Sequence, residues 1–201
     1  LNRFLKGLNI SGSEKNKLYV LYQSANKTKI NFKNKKKIIS FVGKLNLAKG
    51  YDLFGNAIIK ILNKYKDWKG VVIGDEPREK HLFKHKNLKI LGFKSHNYVL
   101  NNFNKTSISV VCSRWNEPFG RTSLEASSRG CALIISNRGG LPETTNHGII
   151  IEELTVQNVY SKIEFLIKNI NYRKSLQKKN YNNFKFTHKF ITKLQDNIRF
   201  S

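Results

Sequence analysis

The chain has 201 residues, 39% of them hydrophobic, which is enough for one α/β domain with its own core and excludes wholesale disorder. A count of 37 Lys and Arg against 13 Asp and Glu gives a formal net charge of +24, a balance that favours phosphate-bearing partners or an anionic membrane surface. The cations are spread along a chain rich in Lys, Asn and Ile and form no single run, so a nucleic-acid binder, which needs clustered Arg with interleaved aromatics, is the disfavoured class.

In chain order, the first 37 residues are weakly patterned. Residues 3–9 are compatible with a helix end, residues 18–22 form a short apolar run that predicts a strand, and residues 33–37 read as a solvated connector. The chain opens at Leu1 without Met or an apolar leader core, and is expected to be a piece of a longer protein. No run approaches the roughly 18 apolar residues of a membrane-spanning helix. The two cysteines, Cys112 and Cys131, sit in apolar surroundings and read as small buried hydrophobes, which suits a reducing cytoplasm.

A repeating pattern then begins. Apolar runs at residues 38–42, 71–73, 88–91, 108–112, 132–135 and 149–151 predict strands. Helical periodicity appears at 50–68, where Phe54, Ile58, Ile61 and Leu62 share one side, and again at 98–103, 122–129, 156–170 and 174–197. Residues 76–84 are a short polar helix candidate. Continuously apolar strands alternating with helices predict a doubly wound α/β domain with a parallel sheet of about six strands, covered on both faces. Ligands of such sheets sit at the carboxyl ends of the strands, which directs attention to the loops after the strands.

Two loops carry chemistry. The first, Gly43-Lys44-Leu45-Asn46-Leu47-Ala48-Lys49-Gly50, is bracketed by glycines and offers two ammonium groups to a diphosphate. The second runs from Ser113 to Ala126. Glu117 lies in the loop and Glu125 eight positions on, inside a helix, with Pro118, Phe119 and Gly120 between them. A helix beginning after Gly120 offers free N–H groups and a dipole to phosphate, and an acid in its first turns can hold ribose hydroxyls. Among the histidines only His81 and His85 are one helical turn apart, and they read as a solvated face. No His/Asp/Glu set has metal-ligand spacing. Tyr181, Phe184, Phe186 and Phe190 read as packing for the closing helices or as interface residues.

The segment from Glu117 to Ala126 resembles the Glu-x7-Glu signature of retaining GT-B glycosyltransferases, above all glycosyltransferase family 4. The loop from Gly43 to Gly50, the turns Gly74-Asp75-Glu76-Pro77 and Leu91-Gly92-Phe93, and the loop Gly139-Gly140-Leu141-Pro142-Glu143 resemble that family's loops in the same order. The resemblance implies a Rossmann-like donor domain at residues 36–185. Residues 1–35 would be the tail of an N-terminal domain with its linker, and residues 186–201 a helix crossing back to that domain.

It also implies roles. Glu117, Lys44 and Lys49 would be catalytic, the glutamate on the donor sugar and the lysines on the diphosphate. Gly43, Phe93 (against the base), the amides of Phe119, Gly120 and Arg121, together with Thr122 and Glu125 (on the ribose), would bind the donor, with no metal and no other cofactor. The reaction would be transfer of a hexosyl group, with retention, from a nucleotide-diphosphate sugar to a glycan or lipid-linked acceptor in surface polysaccharide or lipopolysaccharide assembly. The enzyme would work in the cytoplasm or at the inner face of the membrane. Two departures stand out. Lys44 replaces the family's usual Arg and loses its bidentate fork, and Arg121 stands where an aliphatic residue is common. The acceptor half is absent, so the isolated chain is expected to be inactive. The alternative reading is a GT-B half that binds a nucleotide without turnover.

Overall fold

The computed structural model describes residues 19–79 and 82–199. Six strands form one sheet: β1 Lys36–Val42, β2 Lys69–Ile73, β3 Leu88–Ile90, β4 Thr106–Val111, β5 Ala132–Ser136 and β6 Ile149–Ile151. All neighbours pair in parallel and the order is β3-β2-β1-β4-β5-β6. The chain therefore winds outward in both directions from β1, and the switch point lies between β1 and β4.

Among the described residues there are six α-helices, α1 Tyr51–Lys64, α2 His96–Lys105, α3 Arg121–Ser128, α4 Val156–Lys168, α5 Ile170–Asn182 and α6 His188–Arg199, of which the first five pack on the sheet. The side-chain period of two divides the strands between two cores. Ile39, Phe41, Ile108 and Val110 face α1 and α4, where Phe54, Ile58, Ile61 and Leu62 meet Val159, Ile163 and Leu166. Val71, Ile73, Leu133 and Ile135 face α2 and α3, against Val99, Phe103 and Ala126. Each fully buried aliphatic or Phe side chain contributes about 1.5–3 kcal/mol. Both cysteines are buried and free, and burial pushes the Cys112 thiol up to about 12.

α5 crosses beneath the starts of the central strands. Gln177 Nε2 donates to the Ser107 carbonyl at 2.9 Å and Asn180 Nδ2 to the Cys131 carbonyl at 2.8 Å. Nearby, the Lys35 ammonium donates to the carbonyls of Phe103, Thr106 and Arg129 at 2.8, 2.9 and 2.7 Å. It thus closes the ends of α2 and α3 at once. Burial pushes its pKa down, partly offset by Cys131.

Three expectations fail. The described part of residues 76–84 is turn and coil. Pro77 disfavours helix for the residue before it, Arg78 folds back on Glu76 at 2.8 Å, and Phe83 packs its ring 5.4 Å from that of Tyr51. Residues 19–22 make no strand. Tyr22 instead packs 5.0 Å from Phe119 and 5.2 Å from Phe186, and the Ala25 amide donates to the Phe186 carbonyl. The closing segment is two helices, not one, because Phe184 and Phe186 both turn inward, and residues two apart share a side only in extended chain. Residues 3–9, residue 18 and His81 lie outside the described residues. No residue of α6 is buried, and Ile191, Leu194 and Ile198 recur on it at helical spacing with intermediate exposure.

Candidate functional site at the β1–β4 switch point

The loops leaving β1 and β4 are bonded into one unit. The Ala48 carbonyl accepts from the Arg114 amide at 2.8 Å, the Trp115 amide at 3.1 Å and the Ser113 hydroxyl at 3.1 Å. Gly50 sits at φ 72°, and a Cβ there would lie 2.0 Å from the Cys112 carbonyl oxygen. Only glycine allows the two backbones to approach this closely. Arg114 completes the joint, donating to both carboxylate oxygens of Asp52 at 2.7 Å and to the Leu47 carbonyl at 2.6 Å. Burial raises the Asp52 pKa, but the Arg114 fork outweighs it and holds the carboxyl below the usual range.

Between these loops lies an open cleft of about 550 Å³, lined by Gly43, Lys49, Ser113, Glu117, Arg121 and Thr122 among others. Lys49 and Glu117 come from different loops and meet inside it, Nζ to Oε1 at 2.5 Å, with the Glu117 side chain 13% exposed. The backbone of Glu117 is fixed from behind. It bridges to Gly139, and its carbonyl accepts from the Gly140 amide at 2.7 Å. Gly139 sits at φ 58°, and a Cβ there would lie 2.2 Å from the Glu117 oxygen. The 3-10 turn Leu141–Thr144 continues from this pair, so the loop after β5 carries the loop after β4.

α3 starts at the cleft with Gly120 as its N-cap. No side chain caps it and no acid lies in its first turn. Its first N–H groups and the positive end of its dipole are therefore not neutralised locally, the arrangement that attracts phosphate. Glu125 lies in the second turn and is buried. Its Oε1 is shared by His96 Nε2 at 2.9 Å and Arg121 Nε at 2.8 Å.

The fold thus brings Gly43, Lys49, Glu117, Gly120, Arg121 and Thr122 to one cleft. Three other predicted residues stand apart. Lys44 is exposed, and its charge is felt by Glu76, whose carboxyl is held at about 2 chiefly by hydrogen bonds from Arg78. Phe93 is 77% exposed on the turn after β3, two strands from β1. The Phe119 side chain is buried in a satellite cluster with Leu124, Phe184 and Phe186, which leaves only its backbone for a ligand. Sequence reasoning missed His96 as a partner of Glu125, and missed the Asp52–Arg114 joint. Neither pair has a spacing that marks it, since both contacts are long-range. Among the described residues no group of three His, Cys, Asp or Glu converges, and no helix is long and apolar enough to cross a membrane.

Residues 23–183 match the family described as glycosyl transferases group 1. The C-terminal domain of a glycosyl transferase group 1 family protein (LpcC) from Francisella tularensis is 26% identical and superimposes with a TM-score of 0.68 over 84% of this chain and 97% of that one. The Anabaena protein Alr3699/HepE in complex with UDP-glucose is 15% identical, with a TM-score of 0.69 over 82% of this chain and 48% of that one, a likeness of fold. The 2-deoxystreptamine N-acetyl-D-glucosaminyltransferase of Niallia circulans is 29% identical over 120 residues, 56% of this chain and 31% of the relative. The matched region covers about a third of the length of the curated relatives, at 35%, 33% and 31% of the first three.

Proposed function

Since the chain belongs to the group 1 glycosyl transferases, as a C-terminal domain of the GT-B type, we propose that the β1–β4 cleft holds a nucleotide-diphosphate sugar for transfer to an acceptor on a second domain. The observation that carries this reading is the meeting of Lys49 and Glu117 at 2.5 Å in front of an uncapped helix N-terminus. A diphosphate leaving group gains negative charge as the sugar becomes oxocarbenium-like. Lys49 and the first amides of α3 meet the first of these charges, and Glu117 orients the sugar that carries the second. Glu125, fixed by His96 and Arg121, holds the ribose. Lys44 reaches the diphosphate only by swinging from the Glu76 side. Phe93 meets the base only if the turn after β3 folds over it.

Further parts of the reading are a family 4 enzyme that transfers a hexosyl group with retention and without a metal, and a glycan or lipid-linked acceptor in surface polysaccharide assembly at the inner face of the membrane. Residues 1–35 serve as tail and linker of the N-terminal domain. The half-buried apolar stripe of α6, within residues 186–201, crosses back to that domain. The Anabaena relative's UDP-glucose and the Niallia relative's N-acetylglucosaminyl transfer support a nucleotide-sugar donor.

Calorimetry with UDP, GDP and ADP in the presence of a chelator tests the donor site. The expected result is binding of at least one of them. A folded chain that binds none removes the reading.

A further inference from the structure

The positive charge is diffuse along the sequence, but the fold sorts it. No Asp or Glu occurs between Glu14 and Asp52, or between Glu164 and Asp196. These two acid-free stretches meet where the strands begin, at the end of the sheet opposite the cleft. There the start of β1 and the first half of α5 wall an open groove of about 1030 Å³, lined by Lys33, Lys36, Arg173, Lys174 and Lys178. Among the described residues no carboxylate pairs with any of these five, whereas Lys37, which also lines the groove, pairs with Asp67. Arg173 is buried and fixed. Its guanidinium lies 5.0 Å over the Trp68 ring and donates to the Leu166 and Ile167 carbonyls at 2.5 and 3.1 Å.

Beside the groove the junction of α4 and α5 exposes three large apolar side chains within eight residues, Phe165 at 45%, Ile170 at 51% and Tyr172 at 47%. Ile170 itself lines the groove, and Phe165 and Tyr172 pack edge to face at 5.4 Å. One such residue on a surface needs no explanation, but a cluster beside unpaired cations does. Lysines on long stems next to aromatic and aliphatic side chains are the composition of a surface that sits in the headgroup layer of an anionic bilayer. A polynucleotide calls for arginines and free aromatic platforms, and the one arginine here is committed to Trp68 and to backbone carbonyls.

We propose that the amino-terminal end of the sheet is a membrane-docking face. Lys33, Lys36, Lys174 and Lys178 engage anionic phospholipid headgroups there, and Phe165, Ile170 and Tyr172 enter the interface. β1 separates this face from the cleft by roughly 20 Å of strand, so the two do not compete. The proposal deepens the reading that the enzyme works at the inner face of the membrane, and the donor reading enters only in saying that the opposite end faces the second domain.

Vesicle flotation of the chain at physiological ionic strength tests it, with phosphatidylglycerol mixed into phosphatidylcholine against phosphatidylcholine alone. The chain floats with the anionic vesicles only. A surface lysine contributes about fivefold to such partition, so the triple change Lys33→Gln, Lys174→Gln and Lys178→Gln lowers it at least tenfold. A control triple, Lys60→Gln, Lys84→Gln and Lys89→Gln, leaves it nearly unchanged. The double change Ile170→Ser and Tyr172→Ser weakens partition and makes the remainder more salt-sensitive. Circular dichroism, and titration of each variant with the nucleoside diphosphate that the wild type binds, establish that fold and donor site are intact. Failure of the wild type to bind any nucleotide would remove the donor reading and leave the flotation result standing. Equal loss in the control triple, equal flotation on pure phosphatidylcholine, or binding of a single-stranded oligonucleotide through the same lysines without flotation would each overturn the proposal.

Discussion

Glu117 and Glu125 lie eight residues apart, and the molecule builds their surroundings in opposite ways. Glu117 stands in a loop whose backbone rests on Gly139 and Gly140 of another loop, and among the described residues its carboxylate has one charged partner, Lys49, reaching over from the β1 loop. Glu125 stands on a helix, and its own carboxylate is pinned by His96 and Arg121. The first is a positioned group whose single partner can exchange for substrate. The second is a preorganised handle. The difference teaches that an acid on a loop is aimed by the packing of its backbone, and an acid on a helix by bonds to its side chain.

The largest expected effect lies on the loop side. In the enzyme with both domains, Lys49→Ala and Glu117→Gln each lower kcat/KM by about 10²-fold or more, the scale of one lost preorganised electrostatic contact, as measured by a transfer assay. The two changes part in calorimetry with the nucleoside diphosphate that the wild type binds, taken here as UDP. Lys49→Ala weakens binding, whereas Glu117→Gln leaves it unchanged or tightens it, because Lys49 loses its competing carboxylate. If Glu117→Gln abolished UDP binding and spared turnover at saturating donor, the contrast would be the wrong way round.

Next comes the handle. Glu125→Ala weakens UDP by about 1–3 kcal/mol, the range for hydrogen bonds to a charged group, again by calorimetry. The support under the loop is tested by Gly139→Ala, which forces a Cβ against the Glu117 backbone at positive φ. It costs about 1–3 kcal/mol in denaturant unfolding and lowers turnover more than UDP affinity, while equal loss of both would mean that the glycine supports the handle as well.

The smallest effect concerns the joint between the two loops. Arg114 is partly exposed, so Arg114→Ala costs about 0.5–1 kcal/mol at neutral pH. The Asp52 carboxyl is held below its usual pKa, so this contribution is present above about pH 4 and fades as the pH falls through the lowered value of the folded state. Thermal unfolding of wild type and variant should therefore converge in acid. A gap that persisted unchanged there would assign the effect to packing.

The inner part of the sheet was legible because its four central strands are largely buried on both faces, unlike the edge strands β3 and β6. Runs such as Ile38 to Val42 and Ala132 to Ile135 have no polar face to confuse with helix. The loops at the strand ends were legible from glycines and spaced acids. What escaped were contacts between residues far apart in sequence. His96 reaches Glu125 across 29 positions and Arg114 reaches Asp52 across 62. The segment around residue 83 carries a helical pattern, yet Phe83 is drawn instead onto Tyr51. The basic groove was invisible for the same reason, since Lys33 and Lys178 become neighbours only when α5 crosses under β1.

The ammonium of Lys35 has a consequence for chemical labelling. Amine-reactive reagents modify free, solvated lysines, and Lys35 is enclosed by three carbonyl oxygens and the Cys131 sulfur. In a chain with so many surface amines, mass spectrometry of a partly acetylated sample should find this lysine among the last to react. Its modification would then date the moment the strand ends come apart, a built-in reporter of unfolding that needs no introduced probe.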